Sequence, residues 1–328
     1  MADSLRSLAM LLALAVSAVL AQPGMIAGPV SGYVFDRPAH VLRPVLGVAG
    51  ASVLGDSVDF GFPIAAAYVS PRLDTAVVVG ANRSLHLFKL NGAAVAEVVV
   101  NGWSGAPEGV AFSPSGTAAA VFAAGRVQML AGLPDAPRLA GVVDARANQE
   151  PAALSVRPHP YRLMATEAFA ASDDASLLLV ASEGTVRLLW TAGGEQTLMD
   201  STGGALVAFA PGGHDAVVAS PAGSGLVVVR DVAGAAQQET VAPPADIASA
   251  NGVAFSADGK KLYVARSKGG VAAFDVASRT RTDIPCECVP FGLSPMGSLY
   301  RLNELGAGPL WLLDPAGGRI VFVPAKTN

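Results

Sequence analysis

The stretch Ser249–Asp275, SANGVAFSADGKKLYVARSKGGVAAFD, decides the fold. It divides into three short apolar runs and two turns. Val253-Ala254-Phe255 is the first run, and Asp258-Gly259 follows where a two-residue hairpin turn wants positive φ. Lys261–Arg266 is the second run, Lys268-Gly269-Gly270 turns the chain again, and Val271–Asp275 is the third. None of the runs has helical length or a 3.6-residue period, so all three are expected as strands.

The same pattern recurs along the chain as an apolar-small-apolar run followed by Ser or Ala, Pro or Ala, and Gly. The copies begin at Ala66, Val110, Phe169, Val207, Val253 and Gly292, and their Ser/Ala mark falls at Ser70, Ser113, Ser172, Ala210, Ser256 and Ser294. Successive marks are 43, 59, 38, 46 and 38 residues apart. Blades of a β-propeller repeat every ~40–50 residues with four strands each, and every interval but the second fits. Three further apolar runs follow each mark. After Ser113 they are Ala118–Phe122, Arg126–Leu130 and Arg138–Val143. Ala and Gly in the first strands let sheets crowd around a central channel, while Val, Leu and Phe in the middle strands fill the space between blades.

The expected architecture is therefore all-β: a propeller of six to seven four-stranded antiparallel blades, forming one domain over 31–325. Gly32–Phe35 and Val41–Leu46 look like the third and fourth strands of a further unit, which favours seven blades with one incomplete at the N-terminus. An unattached hairpin would leave exposed edges.

Composition removes several classes. Of 328 residues 52% are hydrophobic and 15% charged, with a net charge of −4 and mean hydropathy of +0.45. The long apolar run is Leu8–Ala21; it follows Arg6 and ends in small residues, as a secretory signal peptide (1–21) does, with 22–30 as a short tail. Secretion, or export to a periplasm, is the expectation, with no membrane association after cleavage and a monomeric product. No basic run offers a nucleic-acid surface. Asn82-Arg83-Ser84 satisfies the glycosylation pattern, which matters only in a eukaryotic secretory pathway. Cys286 and Cys288 are the two cysteines, bonded or free. The insertion 144–165, with three prolines in the ten residues 151–160, is expected as a projecting loop.

The repeat sentence resembles the YVTN-type and WD-repeat-like propeller superfamily over Gly32–Pro324, without the Gly-His and Trp-Asp signatures of WD repeats proper. Ala106-Pro107-Glu108-Gly109-Val110 and Ala250-Asn251-Gly252-Val253 resemble the strand entries of the gluconolactonase and senescence-marker family, which hold a divalent cation. That resemblance implies Glu108 and Asn251 as ligands. Where the family has Pro-Asp-Gly this chain has Pro290-Phe291-Gly292, and the charged ligand that serves as base is absent there.

The repeat register adds one inference from the residues themselves. Five places before each mark stand Ala65, Glu108, Glu167, Ala205, Asn251 and Val289, at what should be equivalent rim positions. Glu108, Glu167 and Asn251 carry oxygens suited to a hard cation such as calcium; the alternative is that a wet channel mouth tolerates polar residues. His40, His86, His159 and His214 are scattered without zinc-site spacing. No nucleophile elbow, phosphate loop or dinucleotide fingerprint is present. Two functions follow. The first is a non-catalytic scaffold binding a protein or small-molecule partner through its loop faces, with no cofactor. The second is a metal-dependent lactonase-like hydrolase at the channel mouth.

Overall fold

The computed structural model describes residues 28–92, 94–145, 168–182, 184–201 and 203–325. The proposed signal, Glu167, His159 and nearly all of the 144–165 insertion lie outside the described residues.

Seven antiparallel sheets follow one another along the chain, each built from consecutive strands. Blade 1 has β1 (Val30–Asp36), β2 (Val41–Val48) and β3 (Ala51–Leu54); blade 2 has β4 (Ile64–Val69), β5 (Thr75–Gly80), β6 (Leu85–Asn91) and β7 (Ala94–Val98). Blade 3 comprises β8 (Gly109–Phe112), β9 (Ala118–Ala123), β10 (Arg126–Ala131) and β11 (Arg138–Asp144), and blade 4 comprises β12 (Ala168–Ala171), β13 (Leu177–Ser182), β14 (Thr185–Trp190) and β15 (Glu195–Asp200). Blade 5 runs β16 (Leu206–Phe209), β17 (Ala216–Ser220), β18 (Gly225–Arg230) and β19 (Gln237–Ala242). Blade 6 runs β20 (Ala250–Phe255), β21 (Lys261–Arg266), β22 (Gly270–Asp275) and β23 (Arg281–Ile284), after a 3-10 turn at Pro244–Ile247. Blade 7 closes the chain with β24 (Ser294–Met296), β25 (Leu299–Arg301), β26 (Leu310–Asp314) and β27 (Arg319–Val323). No described helix is long and apolar enough to cross a membrane.

The cores lie between blades rather than within them. Each of the seven buried clusters draws on two neighbouring blades; one joins Leu177, Leu188 and Val186 of blade 4 to Phe209, Val218 and Val229 of blade 5. The ring closes through the same kind of packing. Val34 and Val45 of blade 1 meet Leu299, Leu310, Leu312 and Val323 of blade 7, and among the described residues no strand is exchanged between these two blades. Two sheet faces that each need covering explain this arrangement: a lone blade leaves both exposed to water.

In three blades the repeated Ser is explained by the turn after the first strand. The sixth mark, Ser294, instead opens its first strand, whose turn begins at Gly297, so that mark and the rim position Val289 counted from it are out of register with the others. Ser113, Ser172 and Ser256 are buried, and their Oγ atoms accept the first N–H of the next strand, from Ala118 (3.1 Å), Leu177 (3.0 Å) and Lys261 (2.9 Å). In blade 6 the turn spans Ser256–Lys260, with Gly259 at φ +70°, so it is a five-residue turn and not the two-residue hairpin expected from Asp258-Gly259. Asp258 instead accepts a hydrogen bond from the Ser256 hydroxyl at 2.6 Å.

Blade 1 departs from the expectation in a way that matters for the site. It has three strands, because Ala51–Leu54 pairs with β2 as well. Direction identifies them. The first-to-second-strand turns lie at one end of the ring, called here the lower end; there Gly297 donates to Pro71 O at 2.8 Å. Ser31 and Gly32 lie against Gly297 and Met296 at this end, whereas Asp36 bridges Leu305 at the upper end. β1 therefore runs upward, as second strands do. The strands over 32–35 and 41–46 are second and third, not third and fourth, and among the described residues this blade has no first strand.

Candidate functional site

The upper mouth of the central channel gathers charged side chains from several blades. Two cavities open there. The larger, about 480 Å³, is walled by β1 (Tyr33, Phe35), β4 (Ala65–Val69) and β24 (Pro295, Met296). These are blade 1 and the first strands of its two neighbours, so the space is the place a first strand of blade 1 would take. The smaller, about 200 Å³, is lined by Phe169, Val207, Asn251, Gly252 and Phe291 from blades 4 to 7. Ser294, Arg301 and Glu304 border both, so the two are lobes of one channel.

Arg301 and Glu304 come from an irregularity in the last blade. Second and third strands are joined by two to four residues in the other blades, but by the eight residues Leu302–Pro309 in blade 7. Asn303 braces this longer connection, with Nδ2 donating to Pro309 O at 2.9 Å and Oδ1 accepting from Trp311 N at 2.7 Å. Glu304 receives Arg301 Nη2 at 3.0 Å, and Arg37 Nε lies 3.9 Å from its other oxygen. Both partners of the closer pair are mostly buried, at 13% and 24% side-chain exposure, so solvent screens their attraction less than at an open surface. Arg301 has five N–H donors, and Glu304 is its one ionic partner among the described residues. His40 and Arg83 complete the upper rim of the larger lobe with Glu108. Counting Arg37, Arg83 and Arg301 against Glu108 and Glu304, the lobe carries an excess of one positive charge with His40 neutral. Burial pushes the Tyr33 phenol above its ordinary value; its hydroxyl donates to Gly92 O at 2.6 Å, so it acts as a fixed wall.

The predicted rim residues reach the channel by different routes. Glu108 borders the larger lobe, and its Oε1 accepts the Ala124 N–H at 3.0 Å. Asn251 borders the smaller one. The register slips between Ala250 and Gly252, and likewise between Ile64 and Ala66, so Asn251 and Ala65 are bulge residues at equivalent positions. A bulge re-aims its side chain, here toward the channel. Asn251 Nδ2 donates to Pro290 O, while its Oδ1 is buried with no hydrogen-bond partner. Gly252 is required beside it, since a Cβ there would stand 2.4 Å from Leu293 N and 2.7 Å from Gly292 C. Glu167 lies outside the described residues, and Ala205 and Val289 line neither lobe. Among the described residues no three His, Cys, Asp or Glu side chains are grouped to hold a metal ion.

Other sequence candidates lie elsewhere. His86 pairs with Glu97 at 2.6 Å and His214 with Asp174 at 3.0 Å, both away from the channel. Cys286 and Cys288 are joined by a disulfide in an irregular segment. Arg301, Glu304, Arg37 and Tyr33 were not singled out in the sequence. The available signal was the long connection after the last unit's second run, which opens with the charged pair Arg301 and Glu304, whereas their neighbour Arg37 is invisible to a linear reading.

No protein-family profile matches the chain, and no curated protein matches it. Solved structures do match in fold. One is a functionally unknown protein from Desulfotomaculum acetoxidans DSM 771, 14% identical, with a TM-score of 0.55, covering 90% of this chain and 99% of that one. Another is described as a "putative 6-phosphogluconolactonase" from Bacteroides uniformis ATCC 8492, also 14% identical, with a TM-score of 0.56, covering 90% of this chain and 96% of that one. At that identity the likeness is one of fold, and the chain is a seven-bladed β-propeller.

Proposed function

We propose that this propeller is an exported, non-catalytic binding protein whose ligand is a small, partly apolar molecule with an acidic group, held in the larger lobe of the channel. One observation carries the reading: a 480 Å³ space with apolar walls and an arginine-rich rim replaces the inner strand of blade 1. Pockets of ~300–1,000 Å³ with apolar walls and a few convergent polar groups suit ligands of this size. Arg301 is the recognition group, because a guanidinium meets a carboxylate or phosphate with two parallel N–H bonds. Export rests on the apolar run Leu8–Ala21 behind Arg6, and N-terminal sequencing of the protein from its native host would find Gln22 first.

The test is calorimetric titration with a panel of sugar acids, phosphosugars and aliphatic acids. Binding that disappears in Arg301→Leu, with the fold intact, supports the reading; a panel with no binder sinks it.

A second reading has its own observation. The unpartnered Asn251 Oδ1 is an oxygen available to a cation, and the neighbour named as a 6-phosphogluconolactonase shares the fold. On this reading Glu108, Glu167 and Asn251 would hold a calcium-class ion, which would supply a Lewis acid for a lactone carbonyl. Hydrolysis of 6-phosphogluconolactone that needs added Ca²⁺ and is lost in Glu108→Ala would favour it over simple binding.

A further inference from the structure

β1 presents its backbone to the larger lobe. Its side chains alternate between neighbours: Tyr33 and Phe35 pack with blade 2, and Val34 packs with blade 7. With both faces covered, what remains toward the channel is the strand's edge. On its other edge β1 pairs with β2 throughout. On the channel edge the described residues supply one partner, a parallel bridge from Leu305 to Asp36 at the upper end. Below that bridge the edge fronts the cavity at Tyr33 and Phe35.

Every innermost strand of a propeller turns an edge to the channel. β1 differs because it is a second strand, set back by one strand spacing of ~4.8 Å. The lobe beside it is thus as wide as one extended chain, with β4 and β24 as its side walls. Backbone N–H and C=O groups along such an edge need partners, and an extended peptide offers donors and acceptors at the matching repeat. At ~3.3 Å per residue, a peptide of about four residues spans the edge from Tyr33 to Phe35 and reaches the upper rim.

Direction follows from the charges. A peptide running parallel to β1, as Leu305 does, ends at the upper rim beside Arg301 and Arg37. We infer that the ligand of the larger lobe is an extended peptide of about four residues, paired with β1 in the place of the first strand, its free C-terminal carboxylate on Arg301. This rests on the larger lobe being the binding site, as proposed above, and names the ligand class.

The probe is acetyl-Thr-Val-Thr-Val with a free C-terminus, titrated into the purified chain by calorimetry. Its C-terminal amide, and a version N-methylated at alternate residues to block strand pairing, are the comparisons. The free acid is expected to bind, the amide about tenfold more weakly through loss of the charged contact, and the N-methylated peptide not measurably. Arg301→Gln should bring acid and amide to equal affinity, and Ala66→Trp, which fills the lobe, should remove binding while circular dichroism and melting report an intact fold. Equal binding of the N-methylated peptide overturns the strand-pairing inference. Peptides that fail where small acids bind overturn it too and leave the channel site standing, whereas failure of both removes that site as well. Binding that appears only after deletion of residues 22–27 overturns it in favour of the chain's own segment as occupant.

Discussion

Asp173 ties three blades together at the lower end of the ring, and its removal should be costly for a single rim residue. It lies in the turn between β12 and β13 of blade 4. One carboxylate oxygen accepts the Ser115 N–H at 2.7 Å and the Ser115 hydroxyl at 2.6 Å, both from blade 3. The other accepts the Gly212 N–H at 2.7 Å, from blade 5. Hydrogen bonds to a charged group contribute ~1.5–3 kcal/mol each, which sets a ceiling of ~4.5–9 kcal/mol for three. The residue is half-buried and the freed donors regain water, so the expected loss in Asp173→Ala is about 2–4 kcal/mol. Thr117 still donates to the Asp173 backbone oxygen in that variant, so the turn keeps one anchor. For a chain of this length the loss corresponds to a fall in Tm of about 4–8 °C, read by calorimetry. Asp173→Asn keeps one acceptor oxygen and should lie between the two. A double-mutant cycle with Ser115→Ala isolates the blade 3 contact, with a coupling of ~0.5–3 kcal/mol expected. A loss below ~0.5 kcal/mol for Asp173→Ala, or strict additivity in the cycle, would refute the bridging role.

Three further outcomes follow from particular contacts. Burial alone would raise the Asp174 pKa, but hydrogen bonds from the Ser172 hydroxyl, from Ser176 N–H and hydroxyl, and from His214 outweigh it and hold the carboxyl well below the ordinary 3.8. A group depressed on folding contributes stability above its unfolded pKa and loses it as pH falls; urea titrations should therefore show the gap between the native chain and Asp174→Asn closing from about pH 5 toward pH 2. Leu188, fully buried between blades 4 and 5, should cost about 2–5 kcal/mol as Leu188→Ala, while exposed Val53→Ala should change urea stability by less than ~0.5 kcal/mol. The Cys286–Cys288 bond encloses a single residue, so replacing both with Ser should lower stability by less than the ~2–4 kcal/mol of ordinary disulfides, because so short a loop loses little chain entropy.

The fold was legible because the same strand-and-turn pattern recurs along the chain. The buried Ser at 113, 172 and 256 that caps the next strand, with an apolar run on either side, produces a repeat visible without any partner strand. The strand runs after Ser113 agree with β9, β10 and β11 to within a residue at each boundary. Ala51–Leu54 went unseen because it is four residues long and alternates weakly, with Ser52 on its buried side. The site was harder. Repeat register brought Glu108 and Asn251 to the channel but could not show that Asn251 sits on a bulge, since a bulge is a mismatch between two strands. Arg37 neighbours Glu304 only because the ring brings its ends together, so linear spacing records Arg301 and Glu304, three residues apart, but not Arg37.

The closing of the ring also explains why the channel is asymmetric. Six units of the chain place a small-residue strand on the inside, and each such strand screens the second strand behind it. Among the described residues blade 1 enters with a second strand, and packing settles the consequence. Val34 and Val45 must still meet blade 7, and Tyr33 and Phe35 must still meet blade 2, because these contacts bury both faces of β1. β1 is therefore held at second-strand radius by its neighbours, and it cannot move inward to fill the channel without exposing those side chains. At ~1.5–3 kcal/mol for each large apolar side chain returned to water, such a collapse is prohibited. The long connection of blade 7 covers only the top of the space, where Leu305 reaches Asp36 and Glu304 meets Arg301. The cavity is thus kept open by the same inter-blade packing that stabilises the propeller, and enlarging Ala66 should fill it without disturbing the ring.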